Sequence, residues 1–422
     1  MPGDKSISHR AAMIAALANG MSRIRNFSTS EDCAATLRCL EQLGVSMARN
    51  SNDVMVQGAG TRGLKAPTEP LDCRNSGTTM RLLAGVLAGQ DFEASLTGDE
   101  SLRSRPMQRI IEPLEMLGAE IQSNAGRPPL TIRGRTPLRP IDYELLVASA
   151  QVKSAILLAG LNADGQTKVV EQTPTRDHTE RMLRWFGVAV EEGDAPREGH
   201  TFASVTGPAS LTAQDVKVPG DISSAAYFIA AAALLDGSTL EVAGVGLNPS
   251  RVEFLRVVES FRLAVTFEDQ CKSGHEPVGA IHVEGSRAAK EYTDKPLTID
   301  GDRIAGLIDE LPLLAVIGSQ LYGGIEIRDA GELRVKESDR IAATVAGLRA
   351  MGADAEEFDD GLRVAGRTRL RGARIDSRGD HRIAMSFAVA GLLAEGETEI
   401  EEAGCVSVSF PEFFELLESV VE

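Results

Sequence analysis

Small-residue helical runs, each followed by a glycine and a short strand-like run, occur six times along this chain. The copies are AAMIAALANGMSRIRNF (11–27), MRLLAGVLAGQDFEASL (80–96) and SAILLAGLNADGQTKVV (154–170), then AYFIAAAALLDGSTLEV (226–242), LPLLAVIGSQLYGGIEI (311–327) and MSFAVAGLLAEGETEI (385–400). Their punctuating glycines, Gly20, Gly89, Gly165, Gly237, Gly323 and Gly396, lie 69, 76, 72, 86 and 73 residues apart. A second signature recurs in the same phase, an amphipathic helix that ends in glycine and gives way to a strand. It reads CLEQLGVSM (39–47), PLEMLGAEI (113–121), MLRWFGVAV (182–190) and GLRAMGADA (347–355). The fourth copy is degenerate, VESFRLAVTF (258–267), with Arg262 at the glycine position, and FFELLESVVE at the chain end is a candidate sixth. Glycine just past a helix supplies the left-handed C-cap, after which the period switches from 3.6 to 2. Each unit is therefore read as two helices plus several short strands.

Pro2-Gly3-Asp4 and Pro219-Gly220-Asp221 open the first and fourth units at an offset of 217 residues, three units. The alternative is a continuous solenoid, but the long units and this shared marker favour a duplication of three-unit halves. The expected architecture is α/β in two domains, residues 4–219 and 220–422, with residues 1–3 at the hinge. A length of 422 residues, beyond the usual limit of one core, agrees. With 43% apolar residues but 4% aromatic and one Trp, both cores must be aliphatic.

The chain carries 44 Lys+Arg against 61 Asp+Glu, a formal charge of −17 that argues against nucleic acid or an anionic membrane as partner. Cys33, Cys39, Cys73, Cys271 and Cys405 are odd in number and scattered, without a CxxC pair or zinc spacing, so neither a disulfide framework nor a structural metal is expected. No apolar run reaches membrane-span length and no secretory leader follows Met1, which makes the cytoplasm the expected compartment.

Candidate chemistry gathers where the small-residue helices begin. The first half presents Lys5-Ser6-Ile7-Ser8-His9-Arg10, Asn75-Ser76-Gly77-Thr78-Thr79 and Ser149-Ala150-Gln151-Val152-Lys153. The second presents Asp221-Ile222-Ser223-Ser224, Asp309-Glu310 and Gly379-Asp380-His381-Arg382. Capping alone explains several of the Ser, Asn and Asp residues. The first three sets also combine hydroxyls and amides with Lys or Arg at helix N-termini, which bind phosphate or carboxylate. Carboxylates in the second half add acid/base capacity. Three further basic clusters hold Arg103, Arg105 and Arg109; Arg334, Lys336 and Arg340; and Arg378 and Arg382. Taken alone, LRVKESDR (333–340) reads as a solvated charged helix with pairs such as Lys336 to Asp339. Convergence of the clusters would instead make the arginines bidentate anion grips. Gly58-Ala59-Gly60-Thr61-Arg62-Gly63 matches a dinucleotide fingerprint, but Leu64-Lys65-Ala66-Pro67 follows and no helix opens. His178 reads as a packing or capping residue rather than a metal ligand.

Together PGDKSISHR, NSGTTMR, SRPM, ASAQVKSA, TRDHTERML, LRVKESDR and DHRIAMSF resemble the 5-enolpyruvylshikimate-3-phosphate synthase family, from Lys5 to about Pro411. The resemblance implies a two-domain inside-out α/β barrel, three repeated units per domain around a cleft. It implies transfer of the enolpyruvyl group of phosphoenolpyruvate to the 5-hydroxyl of shikimate 3-phosphate, by addition and elimination through a tetrahedral intermediate, with no metal or organic cofactor. Lys5, Ser6, Arg10, Ser149, Ala150, Gln151, Arg176, Asp309 and Lys336 would hold shikimate 3-phosphate. Lys5, Asn75, Gly77, Thr78, Gln151, Arg105, Arg340 and Arg382 would hold phosphoenolpyruvate. Asp309 is the expected base for the 5-hydroxyl, Glu337 the carboxyl group that handles the methylene proton, and Lys5 a sharer of acid duty. Domain closure would exclude water, and a monomer is the family default.

Two departures stand out. Family members usually carry some ten or more residues before PGDKS, forming a strand of the second domain, whereas here Met1 abuts the motif; the chain reads as truncated, misassigned at its start, or derived from a longer or fused polypeptide. Some members carry a Lys shortly before the final FP motif, where this chain has Val406-Ser407-Val408-Ser409-Phe410-Pro411. The sister transferase that acts on UDP-N-acetylglucosamine places a reactive Cys five residues before an Arg-Pro pair. Here Glu100 holds that place before Arg105-Pro106, and the Lys-Ser pair after PGD also favours shikimate 3-phosphate. A non-catalytic anion-binding scaffold is the other alternative, opposed by the presence of Lys5, Asp309, Glu337, Arg340 and Arg382. Glycine at 77 is associated in the family with glyphosate sensitivity, although neighbours such as Leu82 vary. The −17 is compatible with anionic substrates because of where it lies: residues 395–422 contain nine acidic groups and 354–360 five, with no Lys or Arg in either run.

Overall fold

A computed structural model describes residues 1–273, 275–285 and 295–421. Glu422, at the end of the candidate sixth signature, and the Cys271 side chain lie outside the described residues. The chain forms two compact units, one of Pro2–Pro219 with Lys272–Glu276, the other of Met1, Gly220–Cys271 and Pro277–Glu422. Each encloses its own core; the first is mainly aliphatic, while in the second Tyr227, Phe228, Phe410 and Phe413 pack ring against ring, which the low aromatic content did not lead one to expect.

All six small-residue runs are helices: Lys5–Leu17, Gly77–Ala88 and Ala150–Gly160 in the first unit, Ile222–Leu234, Leu311–Gln320 and His381–Leu393 in the second. Helices apolar on every face are stable only when surrounded, and every residue of Ile222–Leu234 is buried. Small residues let them approach closely: a Cβ on Gly85 would fall 2.2 Å from the Ala155 carbonyl of the neighbouring helix. Five of the six helices start three to six residues earlier than the apolar runs, because Asp4, Ser76, Ser149, Asp221 and Asp380 cap them through side-chain acceptors. The polar residues at the helix starts therefore radiate from first helical turns.

The sheets are mixed and small. In four of the six repeats a short strand runs parallel to the strand beyond its small-residue helix, as Leu71–Asp72 does with Glu93–Thr97 and Leu297–Ile299 with Ile325–Ile327. Asp142–Glu144 pairs in the same way with Gly165–Glu171, and Arg374–Asp376 with Glu399–Glu401. In the first unit Leu211–Thr212 and Val216–Lys217 return to lie parallel to Ala18–Arg25, closing the three-repeat set on itself. The described strands form six separate sheets of two to five strands, so the architecture is mixed α/β with no closed barrel among them.

The second signature also holds locally. Gly44, Gly118, Gly187 and Gly352 follow their helices at φ of 84°, 108°, 89° and 89°. Arg262, at the degenerate position, adopts the same left-handed conformation at φ 59°, so the geometry is kept where the glycine is not. LRVKESDR departs from expectation. Gly331–Val335 is a 3-10 turn and the α-helix starts only at Arg340, because Asp339 caps it by accepting from Ala342 N at 3.0 Å. Asp339 pairs with Arg334 at 2.6 Å rather than with Lys336.

Candidate active site

In the first unit the starts of the three inner helices are wired together. The Gln151 amide donates to Thr78 Oγ1 at 2.8 Å and its carbonyl accepts from Arg81 Nη1 at 2.6 Å. Arg105, almost fully buried, donates from Nη2 to Asn75 Oδ1 at 2.7 Å and to Ser101 Oγ at 3.2 Å. Gly77 lies against both guanidinium groups; a Cβ there would fall 2.9 Å from Arg81 Nη1 and 3.4 Å from Arg105 Nη1. Buried hydroxyls join the first helix to the second, since His9 Nδ1 meets Thr36 Oγ1 and Thr36 meets Thr79 Oγ1, each at 2.7 Å. Lys5, half-buried, reaches Asp32 at 3.2 Å. Ser149 caps its helix by accepting from Val152 N, which leaves its hydroxyl proton to donate, and Ala150 opens the helix beside it. Ser6 and Arg176 are half-buried in the same unit.

Arg10 is turned inward. Its Nε donates to Thr179 Oγ1 at 2.7 Å, Nη2 to Ser154 Oγ at 2.8 Å and Nη1 to the Ser6 carbonyl at 2.9 Å. Burial pulls its guanidinium down to about 10, opposed first by the Glu180 carboxylate. His178 is a buried packing residue, 2.7 Å from Glu276.

In the second unit Arg340 is the hub, 1% exposed among three carboxylates. Its Nε meets Asp380 at 2.8 Å, Nη2 meets Glu337 at 2.6 Å, and Nη1 stands 3.6 Å from Asp309. That Nη1 makes no hydrogen bond among the described residues. Against the lowering effect of burial, Asp380, Glu337 and Asp309 hold Arg340 above the ordinary arginine range. Arg382, next in the helix after His381, has Nη1 3.4 Å from the buried Tyr227 hydroxyl, and Tyr227, Asp309 and Glu310 outweigh burial to raise it too. Burial pushes the Lys336 ammonium below its usual value, opposed by Asp309, Glu332 and Glu337.

Asp309 and its sequence neighbour Glu310 diverge. Glu310 is 5% exposed and accepts from the Ser223 hydroxyl, which in turn accepts from Arg251. Arg334 points into the Asp339, Glu357 and Phe358 surroundings, and Arg103 and Arg378 are exposed. Of the three basic clusters, Arg105, Arg340 and Arg382 are thus the buried members. Sequence reasoning missed Arg81, visible only as the lone arginine in the first turns after NSG, and Asp380, which reads as an ordinary cap. It also missed Tyr227, for which no local signal exists.

Guanidinium groups held rigid beside carboxylates and helix N-termini are the equipment of a group-transfer enzyme working on small polyanions. The EPSP synthase (3-phosphoshikimate 1-carboxyvinyltransferase) family model matches residues 1–417. Over 422 residues the chain is 51% identical to 3-phosphoshikimate 1-carboxyvinyltransferase of Koribacter versatilis (strain Ellin345), covering 100% of this chain and 96% of the relative. The Pelotomaculum thermopropionicum relative of the same name is 50% identical over 426 residues, covering 100% and 95%. An EPSP synthase structure from Acinetobacter baumannii superposes with a TM-score of 0.85 at 42% identity, covering 99% of this chain and 94% of that one. The chain belongs to the EPSP synthase family, enzymes that transfer the enolpyruvyl group of phosphoenolpyruvate to shikimate 3-phosphate in aromatic biosynthesis.

No helix among the described residues is long and apolar enough to cross a membrane.

Proposed function

We propose that this chain carries out that transfer with a division of labour between its units, in the inside-out barrel arrangement and two three-repeat domains that the resemblance implies. Lys5, Ser6, Ser149, Ala150, Gln151 and Arg176 hold shikimate 3-phosphate, with Arg10 as a buried charge behind Ser6, and Asp309 and Lys336 contribute from the second unit. Asn75, Gly77, Thr78, Arg105, Arg340 and Arg382 hold phosphoenolpyruvate, with Lys5 and Gln151 serving both. The reading rests most on one observation: two carboxylates, Asp309 and Glu337, share the buried guanidinium of Arg340.

Asp309 takes the proton of the 5-hydroxyl as that oxygen bonds to C2 of phosphoenolpyruvate. Glu337, with Lys5 sharing the duty, delivers a proton to the methylene carbon, which becomes a methyl group in a tetrahedral intermediate. Return of a methyl proton to the same carboxylate reforms the double bond as the C–O bond to phosphate breaks and phosphate leaves. Carboxylates and an ammonium in one anionic site titrate as a set. The arginines act as preorganised charge rather than as reactants.

Phosphate release from phosphoenolpyruvate tests the reading directly. Release is expected with shikimate 3-phosphate as acceptor and none above background with UDP-N-acetylglucosamine. Release with only the second acceptor would assign the chain to the sister reaction, and release with neither would make it a scaffold.

The Gly77 contacts carry a second expectation, and glyphosate, a competitor of phosphoenolpyruvate, is its probe. In Gly77→Ala the added methyl would meet the far end of the Arg81 side chain and no backbone atom, so the fold should tolerate it. The Arg81–Gln151 bond would shift, raising the KM for phosphoenolpyruvate by roughly tenfold, as about 1.4 kcal/mol of lost binding does. Glyphosate inhibition should weaken at least as much, while the KM for shikimate 3-phosphate stays within about twofold. Steady-state kinetics with and without glyphosate check this, and unchanged inhibition would remove Gly77 from the phosphoenolpyruvate side.

A further inference from the structure

Lys153 takes no part in the chemistry above, yet its side chain is 2% exposed, in the helix that carries Gln151. Its ammonium lies 2.7 Å from Glu171 and 2.7 Å from Glu180, carboxylates as buried as itself. Removing three charges from water costs several kcal/mol per ion, and apolar residues of similar volume would fill the space at no such cost. A buried triad of this kind is weak as a stability device, so its placement calls for another account.

Two features connect it to the shikimate 3-phosphate side. Lys153 Nζ also donates to the Thr175 carbonyl at 3.4 Å, and the Thr175 hydroxyl donates to Glu171. The triad therefore grips the residue immediately before Arg176 by both its backbone and its side chain. The second feature is an interlock between two helices. Lys153 pairs with Glu180, while their sequence neighbours Ser154 and Thr179 share a hydrogen bond at 2.7 Å and both accept from Arg10. One ammonium against two carboxylates leaves a surplus negative charge, and Glu180 is the strongest opposite charge supporting Arg10 against burial.

We propose that Lys153, Glu171 and Glu180 are positioning residues for the acceptor substrate, holding Thr175 so that Arg176 is presented in one place and fixing the pair of helices on which Arg10 is anchored. This rests on the assignment of Arg176 to shikimate 3-phosphate, with Arg10 the buried charge behind Ser6.

Glu180→Gln keeps the shape and removes the surplus charge. Its KM for shikimate 3-phosphate is expected to rise about tenfold, with the KM for phosphoenolpyruvate and kcat within about twofold. The double variant Lys153→Met/Glu180→Gln retains the triad's net charge and avoids stranding two carboxylates, so it serves even if a single variant folds poorly. It loses the Thr175 contact, and the same selective rise is expected. A triad that only supports packing would lower the thermal midpoint and the yield of active enzyme while leaving both KM values unchanged in the folded fraction, which would overturn the proposal. Arg176→Ala separates the two layers. If it leaves the shikimate 3-phosphate KM unchanged, the underlying assignment fails. If it raises that KM while neither triad variant does, the positioning role fails alone.

Discussion

Asp309→Ala is expected to lower kcat by about 10²–10⁴-fold, the usual contribution of a positioned general base, with neither KM raised more than a few-fold. The asymmetry follows from the geometry. Asp309 is half-buried and stands 3.6 Å from Arg340 Nη1, whose other nitrogens are held by Asp380 and Glu337. Removing the Asp309 carboxylate leaves that framework in place and takes away a group that competes for Nη1, so the phosphoenolpyruvate grip should survive. Glu310 cannot substitute, because its carboxylate is buried against Ser223 and Arg251 rather than turned with Asp309. Asp309→Asn sharpens the test by keeping the shape and losing only the basic oxygen; it should be impaired nearly as much. Burst and single-turnover kinetics with both substrates would locate the defect in chemistry rather than in product release. Turnover within about threefold of the parent would transfer the base role to another group, with Glu337 and Lys5 the next to examine.

How much of this was readable from the chain depended on the distance over which each feature is decided. The sixfold alternation and the glycine C-caps are decided within a turn or two, and local pattern predicts them; Arg262 keeps the left-handed place without the glycine that signals it. Partner choice is decided by residues far apart in sequence. Arg10 sits in a motif that reads as an anion grip, yet its fork is filled by Thr179 and Ser154, 169 and 144 residues away. Arg334, Lys336 and Arg340 look alike in LRVKESDR. They separate only because Asp339 is drawn into capping and takes Arg334, while Asp380, 40 residues on, takes Arg340. The same limit hid Tyr227 and Arg81, ordinary residues of apolar helices until their neighbours are known.

Asp380 is where these long-range choices meet, and Asp380→Asn should show it as a combined loss of stability and of phosphoenolpyruvate binding. The carboxylate is 0% exposed and has four duties. It accepts from Arg340 Nε at 2.8 Å, Arg340 Nη2 at 3.3 Å, Ser338 Oγ at 3.1 Å and the Arg382 backbone N–H at 2.8 Å. One side chain thus orients the Arg340 guanidinium and fixes the helix turn from which Arg382 departs. Asparagine keeps the volume and is as good an N-cap as aspartate, so the turn at Arg382 should survive. What it cannot do is neutralise Arg340 or accept from Nε and Nη2 on two separate oxygens, since an NH2 donor replaces one of them. Breaking a buried ion pair from one side costs about 3–5 kcal/mol. Glu337 still pairs with Arg340, which places the expected loss near the lower end, about 3 kcal/mol. The freed fork should raise the KM for phosphoenolpyruvate by tenfold or more and leave that for shikimate 3-phosphate within about twofold. Asp380→Ala should lose a further ~1 kcal/mol through the cap. Thermal or urea unfolding beside steady-state kinetics separates the two consequences. If Asp380→Asn matches the parent in both, Arg340 is held by Glu337 and Asp309 alone, and Asp380 is no more than a helix cap.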